Sequence, residues 1–258
     1  MGQVFIGTSG WQYSHWKGNF YPLNLPQKDW LSYYAKYFDT VEVNATFYHQ
    51  MKPATFGKWR EIVGPNFVFS IKGSRFITHI KRLKDCKEPV ENFFEGVKSL
   101  NADEQQDPSS IKDVILWQLP PRLNADTRRL TEFIKLLPKT FRQAFEFRDK
   151  SWLDPKIYSI LKDGNCALVI QDSPYWPKAE VVTADFVYLR FHGRESLYAS
   201  CYSQEELDEW ARKMKQWAKR GLDIYAYFNN DAIGYAVENA KTLILNVKSQ
   251  MSKLKLKC

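Results

Sequence analysis

The sequence predicts a single-domain α/β protein, a (β/α)8 TIM barrel that spans residues 1–258. Eight short apolar runs each end in a cluster of polar residues, and helix-like segments separate most of these runs. Strands that alternate with helices indicate a parallel sheet. The 258 residues are close to the roughly 250 that are typical of such a barrel.

Each predicted strand is a run of five or six residues, mostly apolar, that stops at polar or turn-forming residues. Runs of this length are typical of strands in a parallel sheet with both faces covered. The predicted strands are residues 3–7, 40–44, 67–72, 113–118, 142–147, 166–171, 186–191 and 224–228.

Helix-forming segments fill the intervals between most of these strands. Ser203 and Glu206 form a capping-box pattern ahead of an amphipathic run, and Gly221 suits the end of that helix. The predicted helices are residues 27–37, 54–63, 88–100, 126–137, 154–163, 203–219 and 232–250.

Three segments are predicted to be loops. Residues 173–185 contain Pro174 and Pro177 and few helix formers, so no helix is expected between the sixth and seventh strands. Residues 101–112 are a polar insertion. Residues 8–26 are aromatic and proline-containing without periodicity, and we expect this long loop to lie over the barrel mouth.

Composition and net charge limit the kinds of molecule and surface with which the protein is predicted to interact. The net charge of +8 and pI near 9.1 suit anionic partners, including nucleic acid, but scattered charges that only aid solubility are the preferred explanation, so nucleic acid is not favoured. No apolar stretch approaches the roughly 18 residues of a membrane helix. The chain opens on a strand-like run without a signal-peptide pattern, so the protein is predicted to be cytoplasmic.

Polar side chains at the strand ends are the candidates for chemistry. Because side chains alternate along a strand, residues two apart share one face. The residues that share a face are Glu42 with Asn44, Glu146 with Arg148, and Arg190 with His192. Active sites of TIM barrels lie at the carboxyl ends of the strands. Glu42, Glu146 and His192 are therefore the predicted acid/base groups.

A second set of strand-end residues is predicted to bind substrate. Lys72, Arg148 and Arg190 are suited to an anion, because lysine and arginine donate to carboxylate and phosphate oxygens. Asn44 and Asn229 would orient hydroxyl groups. Asp172, at the end of the sixth strand, is a further candidate, and a turn residue is its alternative interpretation.

Two other interpretations of the same residues stay open. Glu42 and Glu146 neutralised by Arg148 and Arg190 would form an ion-pair network that only closes the barrel. A divalent ion would need Glu42, Glu146, Asp172 and His192 together. No histidine belongs to a short-spaced metal motif, so neither an essential metal nor a cofactor is predicted.

The strand-end segments, taken together, resemble the DUF72 family, also called YecE-like proteins. The segments that carry the resemblance are Ile6–Trp11, Val41–Tyr48, Phe69–Lys72, Gln118–Pro121, Glu146–Arg148, Leu189–Gly193 and Tyr227–Asp231. The resemblance spans nearly the whole chain and implies a TIM-barrel fold, without an established activity. Lys72–Arg75 is more glycine-rich than this family resemblance leads us to expect.

Three functional hypotheses follow. The first is an enzyme (hydrolase, isomerase or lyase) that acts on a small anionic or polyhydroxylated substrate by carboxylate acid/base chemistry at the carboxyl-terminal face. The second is a protein that binds or processes nucleic acid, and the third is a non-catalytic binding scaffold. Fold class alone does not choose among them, and the oligomeric state stays open.

Overall fold

Eight parallel strands form a nearly closed barrel, so the predicted fold is confirmed. The structure is a computed structural model that describes the backbone of residues 1–101 and 112–255; most of the predicted insertion at 101–112 lies outside the described residues. The strands are β1 (Val4–Thr8), β2 (Thr40–Val43), β3 (Val68–Lys72), β4 (Val114–Gln118), β5 (Arg142–Glu146), β6 (Cys166–Asp172), β7 (Phe186–Phe191) and β8 (Asp223–Phe228).

The barrel has one seam, between β1 and β2. The hydrogen-bonded order of the described strands runs β1-β8-β7-β6-β5-β4-β3-β2, with β1 and β2 at its two ends. The Tyr34 hydroxyl bridges them, because it accepts from the Thr8 N–H at 3.0 Å and donates to the Thr40 carbonyl at 3.0 Å. Gly7 permits the close approach, since a Cβ there would overlap the Thr40 carbonyl oxygen. At this seam, the Tyr34 hydroxyl links β1 and β2 in place of backbone-to-backbone hydrogen bonds.

Helices cover the outside of the barrel. They are α1 (Trp30–Tyr34), α2 (Ala45–Tyr48), α3 (Pro53–Val63), α4 (Lys87–Val97), α5 (Thr127–Leu136), α6 (Pro155–Asp163), α7 (Gln204–Lys219) and α8 (Tyr235–Lys255). The capping box of Ser203 and Glu206 is present at α7. Gly221 follows that helix with a φ of 86°, which suits glycine. Helices are absent from residues 173–185, as predicted.

The helices of four or five residues were not predicted correctly from the sequence. Predicted helix 27–37 is a 3₁₀ turn followed by the five-residue α1. α2 and a π-helix at Phe76–Ile80 were not predicted, because elements this short carry no periodicity to detect. Gly73, which made its segment unusual, lets the chain pass Trp117, since a Cβ there would overlap the indole ring.

Side chains inside the barrel change from apolar to charged along its axis. The lower interior is an apolar cluster that includes Phe5, Val114 and Phe186. Tyr188 and Tyr227 lie above it and direct their hydroxyls toward polar partners on β2 and β3. Charged side chains follow at the carboxyl-terminal end. A larger apolar core lies between the strands and the helices, so the barrel does not depend on its interior charges to bury apolar surface.

In the part of the chain that the structure describes, no helix combines the length and the apolar character needed to cross a bilayer.

Candidate functional site

The carboxyl-terminal ends of β2, β3, β5, β7 and β8 bring seven of the predicted side chains together. Four mutually contacting residues form what we call the inner layer: Glu42, Glu146, Tyr188 and Arg190. Four more lie around it toward the barrel mouth and form the outer layer: Lys72, Arg148, His192 and Asn229.

The inner layer is a closed hydrogen-bonded network. Arg190 donates to Glu42 Oε1 at 2.7 Å and, through its other terminal nitrogen, to Glu146. The Tyr188 hydroxyl donates to Glu42 Oε2 at 2.8 Å and accepts from the hydroxyl of Ser70 at 2.5 Å. Glu42 and Glu146 are fully buried, and Arg190 is 1% exposed. One guanidinium therefore joins two carboxylates that have no contact with solvent.

Both carboxylates in this layer are held ionised. Burial alone would raise the pKa of Glu42, but the charge and hydrogen bond of Arg190 outweigh it and hold the pKa below its ordinary value. Burial also opposes ionisation of Glu146, yet Arg148, Arg190 and His192 lower its pKa well below the ordinary value. At neutral pH both side chains are acceptors of protons and hydrogen bonds rather than acids.

Lys72 is the least satisfied member of the outer layer. Its Nζ lies 4.3 Å from the centre of the Phe47 ring. Among the described residues, no carboxylate comes within salt-bridge distance of Nζ, and no hydrogen-bond acceptor is assigned to it. Burial, and then the guanidinium of Arg190, lower the pKa of Lys72 to about 8, although Glu146 and Glu42 oppose this.

Arg148 links the two layers. Its Nη2 pairs with Glu146, while the guanidinium carbon lies 4.4 Å from the centre of the Trp176 ring on the loop after β6. Arg148 Nε and Trp176 Nε1 are buried donors that have no acceptor among the described residues. Buried donors normally find acceptors, so the two unmatched N–H groups leave unused hydrogen-bonding capacity at this corner of the mouth.

His192 is neutral and joins the network through both ring nitrogens. Its Nδ1 lies 3.2 Å from the Asn229 amide, and Nε2 lies 3.3 Å from Glu146 Oε1. Burial lowers the pKa of His192 to about 4, despite the hydrogen bond to Glu146. The tautomer that suits both contacts carries its proton on Nε2 and accepts from Asn229 at Nδ1.

Two predicted substrate-binding residues are not part of this cluster. Asp172 is directed away from the barrel interior, toward Lys178 at 3.1 Å and the indole N–H of Trp210 on α7 at 3.4 Å. Successive residues of a strand face opposite sides, which explains why the last residue of β6 contacts a covering helix. Asn44 lies at the rim, where its amide donates to the Ser9 carbonyl at 3.3 Å.

The alternative metal quartet is therefore not assembled. Asp172 is separated from Glu42, Glu146 and His192, and both glutamates are engaged by guanidinium groups. Cations already occupy the positions around these carboxylates, so the donor set does not fit a divalent ion.

The sequence profile of the family described as "Protein of unknown function DUF72" matches residues 5–257. The chain belongs to the DUF72 family. Relatives include UPF0759 protein YunF of Bacillus subtilis, 24% identical, with 93% of each chain covered. UPF0759 protein YecE of Escherichia coli is also 24% identical, with 93% of this chain and 91% of YecE covered.

Crystal structures of other DUF72 proteins agree with the fold. A Thermotoga maritima member is 30% identical, has a TM-score of 0.80 and is matched over 97% of this chain and 99% of its own. An Enterococcus faecalis member, 19% identical, also has a TM-score of 0.80, with 95% and 96% covered. The family resemblance drawn from the strand-end segments is confirmed.

Several residues of this DUF72 site escaped sequence analysis. Tyr188 and its hydrogen-bond partner Ser70 were not predicted as site residues, although Tyr188 lies two residues before Arg190 and so shares its face of β7. Phe47 and Trp176 cover the two outer cations. Trp176 was only one of several aromatics in the predicted top loops, and nothing local to Phe47 indicates that it meets Lys72. A cleft of about 640 Å³ opens beside Phe47, between α2, the π-helix and α4.

Proposed function

We propose that this barrel is an enzyme that acts on a small anion, whose charged group binds between Lys72 and Arg148 at the mouth. The observation that carries the proposal is a charge imbalance. Three cations, Lys72, Arg148 and Arg190, meet two carboxylates, and His192 is neutral. One positive charge is therefore left over in a poorly hydrated place, where an anionic ligand would balance it.

The position of the excess charge favours the outer layer. Both terminal nitrogens of Arg190 are engaged by carboxylates, whereas Lys72 has an aromatic ring as its neighbour. The unmatched N–H groups of Arg148 and Trp176 add two donors at the same mouth. A carboxylate or phosphate offers oxygens for such donors.

The proposed proton-transfer group is His192. It is neutral at pH 7, and its Nδ1 contacts the amide of Asn229, a partly exposed rim residue. Glu146 accepts from Nε2 and orients the ring, as carboxylates orient histidine in acid/base pairs. Glu42 holds Arg190 and is assigned positioning rather than proton transfer. When substrate binds, the Asn229 amide would leave His192 Nδ1 and hydrogen-bond to a substrate hydroxyl instead.

Calorimetric titration with inorganic phosphate and with pyruvate at low ionic strength tests the anion site. The wild-type chain should bind at least one of them, and Lys72→Met should weaken binding about 10-fold or more, because a hydrogen bond to a charged group contributes roughly 1.5–3 kcal/mol. Lys241→Met is the matched control, since Lys241 also lies over aromatic rings but is on α8. Equal affinities for wild type and Lys72→Met would overturn the proposal.

Nucleic-acid binding is a second candidate, which a separate cleft favours. A space of about 620 Å³ lies on the other side of the β3–α4 loop. Its cationic lining residues are Lys81, Arg82, Lys84 and Arg129. Binding there should weaken steeply with salt, since phosphate contacts release counterions. Titration of single-stranded oligonucleotides at two salt concentrations checks it, and affinity that is absent or independent of salt would rule it out.

A further inference from the structure

We propose that Lys72 is a nucleophilic amine, which forms an imine with a carbonyl compound that carries a carboxylate or phosphate group. The proposal rests on the proposed anion site and names its substrate class, an anionic aldehyde or ketone. Lys72 then acts by covalent chemistry, in addition to attracting charge.

The surroundings of Lys72 are those that activate an amine. A lysine becomes nucleophilic when it loses its proton, which an apolar wall and neighbouring cations promote. Phe47 provides the wall, with its ring centre 4.3 Å from Nζ. The partly exposed side chain ends β3 at the carboxyl-terminal face of the barrel, where TIM-barrel chemistry takes place.

The absence of an ion pair separates Lys72 from Lys178 and Lys213, which also lie near an aromatic ring. Lys178 also lies over a ring, that of Trp210, but pairs with Asp172 at 3.1 Å and Glu180 at 3.4 Å. A carboxylate partner keeps a lysine protonated. Across residues 1–101 and 112–252, Lys72 has no such partner, so its amine is available.

Charged groups from several elements act on the proton of Lys72. They are Arg190, Glu146, Glu42 and Arg148; His79, on the π-helix, also faces Lys72 but is neutral, because its pKa is lowered to about 4. Burial and Arg190 favour the neutral amine, and together with Arg148 they outweigh the two glutamates, so the pKa falls to about 8. An ordinary lysine has a pKa near 10.4. A useful fraction of Lys72 is therefore unprotonated at neutral pH.

The reaction balances without an oxidant or reductant. The Nζ lone pair forms a bond to the carbonyl carbon, and a proton passes from nitrogen to the carbonyl oxygen through solvent. The resulting carbinolamine loses that oxygen as water, which leaves a C=N bond to Lys72. When protonated, the imine carries the same single positive charge as the lysine it replaces. The anionic group of the substrate therefore balances the charge both before and after imine formation.

Reductive trapping tests the proposal on the full chain. Pyruvate or glycolaldehyde phosphate is added with sodium cyanoborohydride, which reduces an imine to a stable secondary amine, and modified lysines are located by peptide mass mapping. We expect Lys72 to react at least about 10-fold faster than Lys241. The two probes distinguish a carboxylate-bearing from a phosphate-bearing substrate, and acetone, which has no charge, should react poorly.

Variants and pH separate an imine from simple charge attraction. Lys72→Arg keeps the positive charge, so it should retain phosphate binding while the adduct disappears. The rate at Lys72 itself should rise with pH to a plateau above about 8. Adducts spread evenly over surface lysines, with phosphate binding intact, would overturn the imine and leave the anion site standing. Unchanged phosphate binding in Lys72→Met would instead remove the anion site itself.

Discussion

The inner and outer layers both contain cationic side chains, but these cations differ in their hydrogen-bond and ion-pair partners. In the inner layer, Arg190 meets Glu42 and Glu146, and every carboxylate oxygen has a donor. In the outer layer, Lys72 has no carboxylate partner among the described residues, whereas an unmatched Nε is common to Arg148 and Arg190. Lys72 and Arg190 lie on different strands of the same barrel mouth, so the difference reflects their partners and not their depth alone.

The difference assigns the two layers different roles. A buried ion pair that satisfies itself adds little net stability, but removing one partner is costly. Such a network fixes geometry. A cation without an internal partner destabilises the folded chain and is relieved by a ligand. Stored instability of this kind is typical of functional sites, and the outer layer is therefore the better place to look for substrate.

The largest expected effect comes from Arg190→Ala. It leaves Glu42 and Glu146 buried without their shared guanidinium, and loss of one partner from a buried pair costs roughly 3–5 kcal/mol. Urea unfolding at pH 7 measures the free energy of unfolding. Arg142→Ala is the matched control, because Arg142 bonds one carboxylate, Asp223, and is partly exposed at the other end of the barrel. A loss no greater than that of Arg142→Ala would show that the inner layer is not structural.

The effect of Arg190→Ala on the free energy of unfolding should also depend on pH. In the wild type, the pKa values of Glu42 and Glu146 are lowered. Their stabilising contribution is present above the unfolded-state pKa of about 4.3 and is lost as pH falls through the folded-state values. Without Arg190, burial dominates and Glu42 protonates more easily. The stability difference between wild type and variant should therefore shrink between pH 7 and pH 4.

An intermediate effect is expected from Tyr188→Phe. The change removes the donor to Glu42 Oε2 and the acceptor of Ser70, both buried, while it keeps the ring. A lost hydrogen bond to a charged group costs roughly 1.5–3 kcal/mol. Tyr34→Phe is the companion variant, because it removes the hydroxyl bridge at the β1–β2 seam without touching a charge. If Tyr188→Phe unfolds at the wild-type urea concentration, Glu42 does not need this donor.

Features that depend only on residues close together in the sequence were predicted correctly. Every strand was placed within two residues, because buried parallel strands are short apolar runs with clear ends. Parity correctly grouped Glu42, Glu146 and Arg190 at one end. The choice of Asp172, made because it ends the sixth strand, failed, since β6 continues one residue further than predicted and its last side chain faces α7.

The division into two layers was not readable from sequence. Whether Arg148 or Lys72 pairs with a carboxylate depends on distances between strands that lie far apart in the chain. The Arg148–Trp176 contact also depends on the course of a loop without regular structure. Patterns in sequence report which face a residue takes, whereas pairing requires the relative positions of several strand ends.

The smallest effect on stability is expected from Lys72→Met, and its sign is opposite to that of Arg190→Ala. Methionine keeps most of the apolar stem and removes a charge without a carboxylate partner, so the free energy of unfolding at pH 7 should stay level or rise by up to about 1 kcal/mol. The folded-state pKa of Lys72 is about 8, below the unfolded value near 10.4, so the unfolded chain binds more protons between these values. Wild-type stability should rise with pH across that window until the advantage of the variant disappears. Lys241→Met, measured in parallel by urea unfolding at pH 7 and pH 10, corrects for effects common to lysines over aromatic rings. A loss of several kcal/mol in Lys72→Met alone would place Lys72 in the structural network and erase the distinction between the layers.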